Sequence, residues 1–133
     1  GDHRDLHSFP TRRSSDLAAD GGQSYVLDAA AGKTILLPAL KAGLSFRFTV
    51  GAAFATTNFI VASSEGDNIN GIIADLGSTP AGVIAAGEDQ INFVASAETI
   101  GDFVNLVADY DNSQWLVSGV CGANGGITAT DPA

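Results

Sequence analysis

An acidic stretch, Asp-Tyr-Asp-Asn-Ser at 109–113, is the clearest candidate for chemistry in this sequence. It places oxygen-bearing side chains at alternate positions, which is how a calcium-binding loop begins. The EF-hand pattern fails, because Gln114 stands where the sixth-position glycine belongs and Val120 where the closing glutamate belongs. Aspartate and asparagine also favour turns, since their side chains bond to nearby backbone. We interpret 109–113 as a hairpin turn, with cation binding as the alternative.

A second polar cluster comprises Glu65, Asp67, Asn68 and Asn70. A cation site shared between loops is one interpretation of these residues, and a solvated turn is the other. We favour the turn, because the cluster begins with the turn sequence Ser-Glu-Gly-Asp at 64–67, directly after an apolar run.

The residue types needed for catalysis are sparse. A hydrolytic triad needs a base such as histidine, and His3 and His7 both lie within the first seventeen residues. Cys121 therefore has no histidine partner in the rest of the chain. The segment 31–34 ends like a phosphate-binding loop, but the upstream glycine is missing and a strand is predicted to follow. The sequence predicts a protein that is not an enzyme and uses no cofactor or metal.

The charge balance excludes two classes of partner. The chain has 133 residues, with 6 basic and 15 acidic side chains and a net charge of -9. Such a chain repels nucleic-acid phosphates and anionic lipid, so we expect neither nucleic acid nor a membrane as partner. No segment is apolar enough to cross a bilayer, and the single cysteine cannot form an intrachain disulfide.

Residues 1–17 differ in composition from the rest of the chain. They hold three of the basic residues, both histidines and three acids, so the segment is neutral while the remainder carries the whole net charge of -9. The string LHSFPTRRSSDL resembles a translated sequencing-adapter sequence. We expect 1–17 to be a non-native or disordered leader and exclude it from the fold and from the site candidates.

The remaining chain has the pattern of a β protein. Residues 44–50 alternate apolar and polar side chains, which predicts a half-buried strand. Eight or nine short strands follow one another at intervals of about ten residues, separated by Gly, Asn, Asp or Pro. The segments 103–108 and 114–120 are predicted to form a hairpin. We expect an all-β, antiparallel sandwich over 18–121 and a glycine-rich tail over 122–133.

Two aromatic residues near the predicted hairpin turn are candidates for ligand contact. Trp115 lies in an alternating strand, where a tryptophan more often packs in the core than stacks on a sugar. Tyr110 lies in the turn itself and is the best-placed amphipathic aromatic for contact with a ligand.

Several phrases of the sequence resemble structural proteins of tailed bacteriophages, especially marine ones. The similar phrases are SYVLD at 24–28, GKTILLPA at 32–39, KAGLSFRF at 41–48, IGDFVNLVAD at 100–109 and QWLVSG at 114–119. In that family the closing turn is often Asp-Gly-Thr-like, and here it is slightly longer. The resemblance implies a non-enzymatic, jelly-roll-like virion module, often a trimer, displayed on a capsid or tail.

Three functions compete at this point. The first is a capsid decoration or head-fibre protein of the virion, a homo-oligomer and specifically a trimer, bound to the major capsid or tail protein. The alternative is a tail-fibre or receptor-binding module that contacts a host-surface glycan through Tyr110 and Trp115. The third, a polysaccharide hydrolase, has no favourable feature, since twelve acids outside the leader always permit some carboxylate pair.

Overall fold

A computed structural model describes residues 22–77 and 82–132. The predicted leader at 1–17 lies outside these residues. The described chain forms a short 3-10 turn at Tyr110–Asn112 and the strands β1 (Ser24–Leu27), β2 (Thr34–Leu36), β3 (Ser45–Val50), β4 (Phe59–Ala62), β5 (Ile69–Asp75), β6 (Val83–Glu88), β7 (Gln90–Phe93), β8 (Phe103–Asp109), β9 (Gln114–Cys121) and β10 (Ile127–Thr130). The prediction of an all-β fold is confirmed.

The strands form two sheets. A six-stranded sheet has the order β1-β3-β8-β9-β5-β6, and a four-stranded sheet has the order β10-β7-β4-β2. The inner side chains of both sheets make one apolar core, which is the arrangement of a β-sandwich. The largest fully buried side chains are Trp115, Tyr25, Phe48, Phe54, Phe59, Phe93, Leu27, Ile35, Leu37, Ile69 and Ile73.

The expectation of purely antiparallel sheets is wrong, because both sheets are mixed. The pairs β1–β3, β2–β4 and β5–β9 are parallel. Between β1 and β3 the chain passes through β2 in the other sheet, so it returns to the first sheet in its original direction. Likewise, the chain passes through β3 in the six-stranded sheet between β2 and β4, so β2 and β4 are parallel. Apolar alternation reports which face is buried and carries no information about strand direction.

The segment 122–133 is more than a tail. Its residues Ile127–Thr130 form β10, which pairs antiparallel with β7, and Ile127 is fully buried. Glycines before this strand gave it the composition of a loop, but its β-branched residues suit a pleated sheet. The sandwich therefore continues past 121 to include this strand.

The predicted pattern of β3 is confirmed. Phe46, Phe48 and Val50 are buried, while the intervening residues are half-buried on the outer face. The ring of Phe46 lies 6.0 Å from that of Trp115, centroid to centroid, and Trp115 is 0% exposed. The interpretation of Trp115 as a core residue is confirmed.

Asp102 connects three parts of the sandwich at the end where β8 begins. Its carboxylate accepts hydrogen bonds from the backbone N–H groups of Thr99 and Gly122, both at 2.9 Å. Its backbone carbonyl accepts a third from the N–H of Val50 at 2.8 Å. Burial raises the pKa of Asp102, against the lowering effect of its two carboxylate hydrogen bonds. Its main role is to satisfy backbone donors that would otherwise be left without a partner.

We expect Asp102→Ala to lower the free energy of unfolding by about 2–4 kcal/mol, because two backbone N–H groups lose their acceptor. Asp102→Asn retains one acceptor oxygen and should lose less. Urea denaturation measures both, with Asp111→Ala as the control at an exposed acid. Equal stability of Asp102→Ala and the control would contradict this role.

Candidate functional site

The two polar clusters of the sequence meet at one end of the sandwich. They form the walls of a groove of about 650 Å³. Its described lining residues are Leu40, Glu65, Gly66, Asp67, Asn68, Tyr110, Asp111 and Ser113. We call this the acidic groove. The clusters are adjacent because β5 and β9 are parallel neighbours. Ile69 pairs with Trp115, so the two strands begin side by side at this end of the sandwich.

The wall at 63–68 is a tight turn with fixed backbone. The hydroxyl of Ser63 accepts hydrogen bonds from the N–H groups of Glu65 at 3.1 Å and Gly66 at 3.2 Å. Gly66 and Asp67 both have positive φ, at 74° and 47°. This left-handed step suits glycine and is tolerated by aspartate. It reverses the chain and presents the acidic side chains at the end of the sandwich.

The opposite wall is the hairpin turn between β8 and β9, as predicted. The carboxylate of Asp109 accepts hydrogen bonds from the side-chain amides of Gln114 at 2.8 Å and Asn112 at 2.9 Å. These bonds, the one from Gln114 first, lower the pKa of Asp109. Asp109 therefore closes the turn, and Tyr110 and Asp111 are left to line the groove.

The structure separates the two aromatic candidates. Tyr110 is 58% exposed and lines the acidic groove, so its ring is available to a ligand. Trp115 is fully buried, so the alternative in which it contacts a glycan has no exposed ring to use. Its inward position follows from the alternation of β9.

Asn68 and Glu65 form the polar base of the groove. The amide nitrogen of Asn68 donates to Glu65 Oε1 at 3.3 Å, and the same oxygen accepts from the N–H of Leu40. Asn68 is only 9% exposed. Its Oδ1 is buried and accepts no hydrogen bond from the described residues. A buried acceptor without a donor is uncommon in folded proteins.

A carboxylate cluster adjoins the groove and shares Asp67 with it. Carboxylate oxygens of Asp67, Asp89 and Asp131 all lie within 4.8 Å of one another. Oxygen ligands in this arrangement are the kind that hold a divalent cation. Sequence analysis missed Asp131, because it lies after β10 in the segment interpreted as a tail.

A side-chain hydrogen bond joins the Asp89 and Asp131 carboxyl groups and moves their pKa values in opposite directions. A side-chain hydrogen bond to Asp89, followed by burial and by the negative charges of Asp89 and Asp67, raises the pKa of Asp131 to about 6. The N–H of Asp67 donates to Asp89 Oδ1 at 2.6 Å and is the main cause that lowers the pKa of Asp89. Near neutral pH the cluster therefore begins to take up a proton that balances its like charges.

Cys121 lies in the core, at the end of β9. Burial is the main cause that raises the pKa of its thiol, and the charges of Asp75 and Asp102 add to this. The thiol stays protonated, which makes it a poor nucleophile.

Comparisons with known proteins identify no relative: no family model matches the chain, and neither a curated protein nor a solved structure is significantly similar to it. Within residues 22–77 and 82–132 there is no helix with the length and apolarity needed to cross a membrane. Function is therefore inferred from the geometry of the chain itself.

The raised pKa of Asp131 predicts a pH dependence of stability. Because the pKa of Asp131 is raised in the folded chain to about 6 from an ordinary 3.8, the folded state binds this proton before the unfolded state does. The contribution of Asp131 to stability therefore increases as the pH falls from about 7 to about 4. In the Asp131→Asn variant the side-chain amide can donate the hydrogen bond to Asp89, and an amide does not titrate in this pH range.

We expect Asp131→Asn to raise the Tm at pH 8 and to flatten its rise between about pH 7 and pH 5. Thermal unfolding followed by circular dichroism at several pH values measures this, and Asp111→Asn is the matched control outside the cluster. Identical pH profiles for wild type and Asp131→Asn would refute the raised pKa of Asp131.

Proposed function

We propose that this chain is a non-enzymatic structural protein of a tailed-phage virion, a capsid decoration or head-fibre protein that assembles as a homo-oligomer. The observation that carries the proposal is the outer face of the six-stranded sheet. It exposes four large apolar side chains beside neutral polar ones and one cation, and no other element of the described chain covers them, while the protein as a whole is strongly acidic. The resemblance of the sequence to phage virion proteins favours a trimer.

Four large apolar side chains lie on this outer face, in the half of the sheet that runs from β8 to the edge strand β6. Ile72 and Ile84 are directly paired across β5 and β6 and are 66% and 74% exposed. Val107 and Leu116 are paired across β8 and β9 and are 48% and 42% exposed. Leu116 lies opposite Asn70, two residues from Ile72, so the pairs are diagonal neighbours. We call these four residues the apolar patch.

Charge is nearly absent from the interior of the same face. Among the described strands of this sheet, Arg47 is the only charged residue that does not lie at a strand end. Its guanidinium carbon lies 3.9 Å from the centroid of the Phe103 ring, and one of its nitrogens donates to Asn105 Oδ1 at 3.2 Å. The ring and the amide oxygen stabilise the guanidinium within its own sheet, and its positive charge remains.

The four-stranded sheet shows the contrast. On its outer face the amide of Asn92 donates to the hydroxyls of Thr128 and Thr130, at 3.1 and 2.9 Å. Gln90 in turn donates to Asn92 at 2.6 Å. The outer face of the six-stranded sheet also has side-chain hydrogen bonds, from Asn70 to Gln114 and from Gln114 to Asp109, but it exposes the four large apolar side chains of the patch as well.

A second copy of the chain is the occupant that fits the apolar patch. Molecules of net charge -9 repel one another, and a face without acids is where two copies approach with least repulsion. Six strands at about 4.8 Å spacing and about 20 Å of strand length give a whole face of about 600 Å² in projection, of which the apolar patch is a part. That is of the order needed for a stable protein interface, about 800 Å² of accessible surface per partner.

The phage-like phrases support the proposal by their position. Those at 24–28, 41–48, 100–109 and 114–119 supply β1, β3, β8 and β9. These four strands are consecutive neighbours in the six-stranded sheet. Four of the five phrases therefore fall in the sheet that carries the patch. The fifth, at 32–39, contains β2 of the other sheet, and the strands of Ile72 and Ile84 lie outside all five. A decoration protein acts by such packing contacts and stabilises an assembled shell by mass action.

We expect light scattering to give a mass about three times the 13.5 kDa of one chain. Ile72→Asp or Ile84→Asp should lower it to that of a monomer, because each puts a further negative charge on the covered face. Leu36→Asp, on β2 of the other sheet, is the matched control and should keep the oligomer.

Circular dichroism verifies that the variants are folded, which their exposed positions allow. A wild-type monomer at about 100 μM would overturn the assembly proposal, since a specific interface of this size binds more tightly. An oligomer unchanged by both patch variants would place the interface elsewhere and would overturn the role of the patch.

A further inference from the structure

We propose that the acidic groove binds neutral saccharide units, with one sugar ring stacked on Tyr110 and its hydroxyls hydrogen-bonded to the groove walls. This goes beyond the assembly role, which uses the outer face of the six-stranded sheet. The groove lies at the end of the sandwich where β8 passes into β9, so both functions can operate in one molecule.

Tyr110 provides the apolar surface that a sugar ring needs. Its side chain is 58% exposed in a turn that Asp109 holds closed through Asn112 and Gln114. Leu40 adds a second apolar side chain to the same groove. Tyrosine suits this position because its ring offers an apolar face while its hydroxyl remains in water.

The remaining lining determines which saccharides fit. Glu65, Asp67 and Asp111 supply carboxylates that accept hydrogen bonds from sugar hydroxyls. Among the described lining residues there is no lysine, arginine or histidine. Uronic acids, sialic acids and phosphorylated sugars are therefore repelled, and neutral sugars are selected.

Asn68 forms part of the base of the groove. It lines the groove, is more than nine-tenths buried, and has an Oδ1 that accepts no hydrogen bond from the described residues. Its amide nitrogen is held by Glu65, which fixes the orientation of the side chain. The Oδ1 atom is closed to solvent, so Asn68 shapes the base of the groove without contacting a ligand through this oxygen.

The walls of the groove are held in place before any ligand arrives. The N–H of Trp115 donates to the carbonyl of Asn68 at 2.8 Å, which joins the base of one wall to the base of the other. Trp115 is itself anchored in the core. Groups held on rigid strands lose little entropy on binding, which favours recognition of a small ligand.

The test is a nuclear magnetic resonance titration of the full ¹⁵N-labelled chain, in EDTA, with three neutral oligosaccharides: maltohexaose, cellohexaose and mannohexaose. We expect at least one to shift the amide signals of 65–68 and 110–113. Tyr110→Ala should weaken its binding about tenfold, and Tyr110→Phe should bind like wild type because it keeps the ring. Ile100→Ala, an exposed site at the opposite end of β8, is the matched control.

The proposal is overturned if none of the three sugars shifts these signals at about 10 mM, a range that detects millimolar dissociation constants. It is also overturned if Tyr110→Ala binds like wild type, or if oligogalacturonate binds more tightly than the neutral sugars. Light scattering of the same samples reports assembly separately, so failure of saccharide binding and failure of the assembly proposal are distinguishable.

Discussion

The six-stranded sheet has an apolar inner face and an outer face that exposes an apolar patch and places no acid between its strand ends. In a chain that carries a net charge of -9, most of the molecule's organisation follows from this constraint. The inner face is covered by the four-stranded sheet. The interior of the outer face excludes acids, so acidic side chains collect at strand ends and in loops. The acidic groove and the carboxylate cluster are products of that segregation, and the apolar patch is left available to another copy of the chain.

Local patterns in the sequence were sufficient to predict the strands and much of the core. The alternation of β3, the β8–β9 hairpin and the burial of Trp115 all follow from period-two spacing and turn chemistry. Strand direction could not be predicted, because it depends on which sheet each intervening strand joins. β10 was missed because glycines precede it.

The candidate sites depended on long-range pairing that no local pattern reports. The clusters at 65–70 and 109–113 were visible in the sequence, but only the parallel pairing of β5 with β9 brings them into one groove. Asp131 joins its cluster only because β10 pairs with β7. Ile72 and Ile84 lie in runs of apolar residues, where spacing alone does not tell an exposed side chain from a buried one.

Assembly and saccharide binding would reinforce each other. An oligomer joined through the apolar patch presents several acidic grooves at once, and weak sites acquire useful affinity when they are presented together. Carboxylates at the strand ends would remain in solvent around such an assembly, where their mutual repulsion is screened by salt.

The central claim, that the outer face of the six-stranded sheet is covered by further copies of the chain in a virus particle, is tested most directly by cryo-electron microscopy. The specimen is a particle preparation whose DNase-protected DNA contains the coding sequence. The account predicts density for this sandwich on the particle, with the six-stranded sheets of neighbouring copies facing each other around a symmetry axis. Particles that lack this chain, or copies whose apolar patch faces bare solvent, would contradict it.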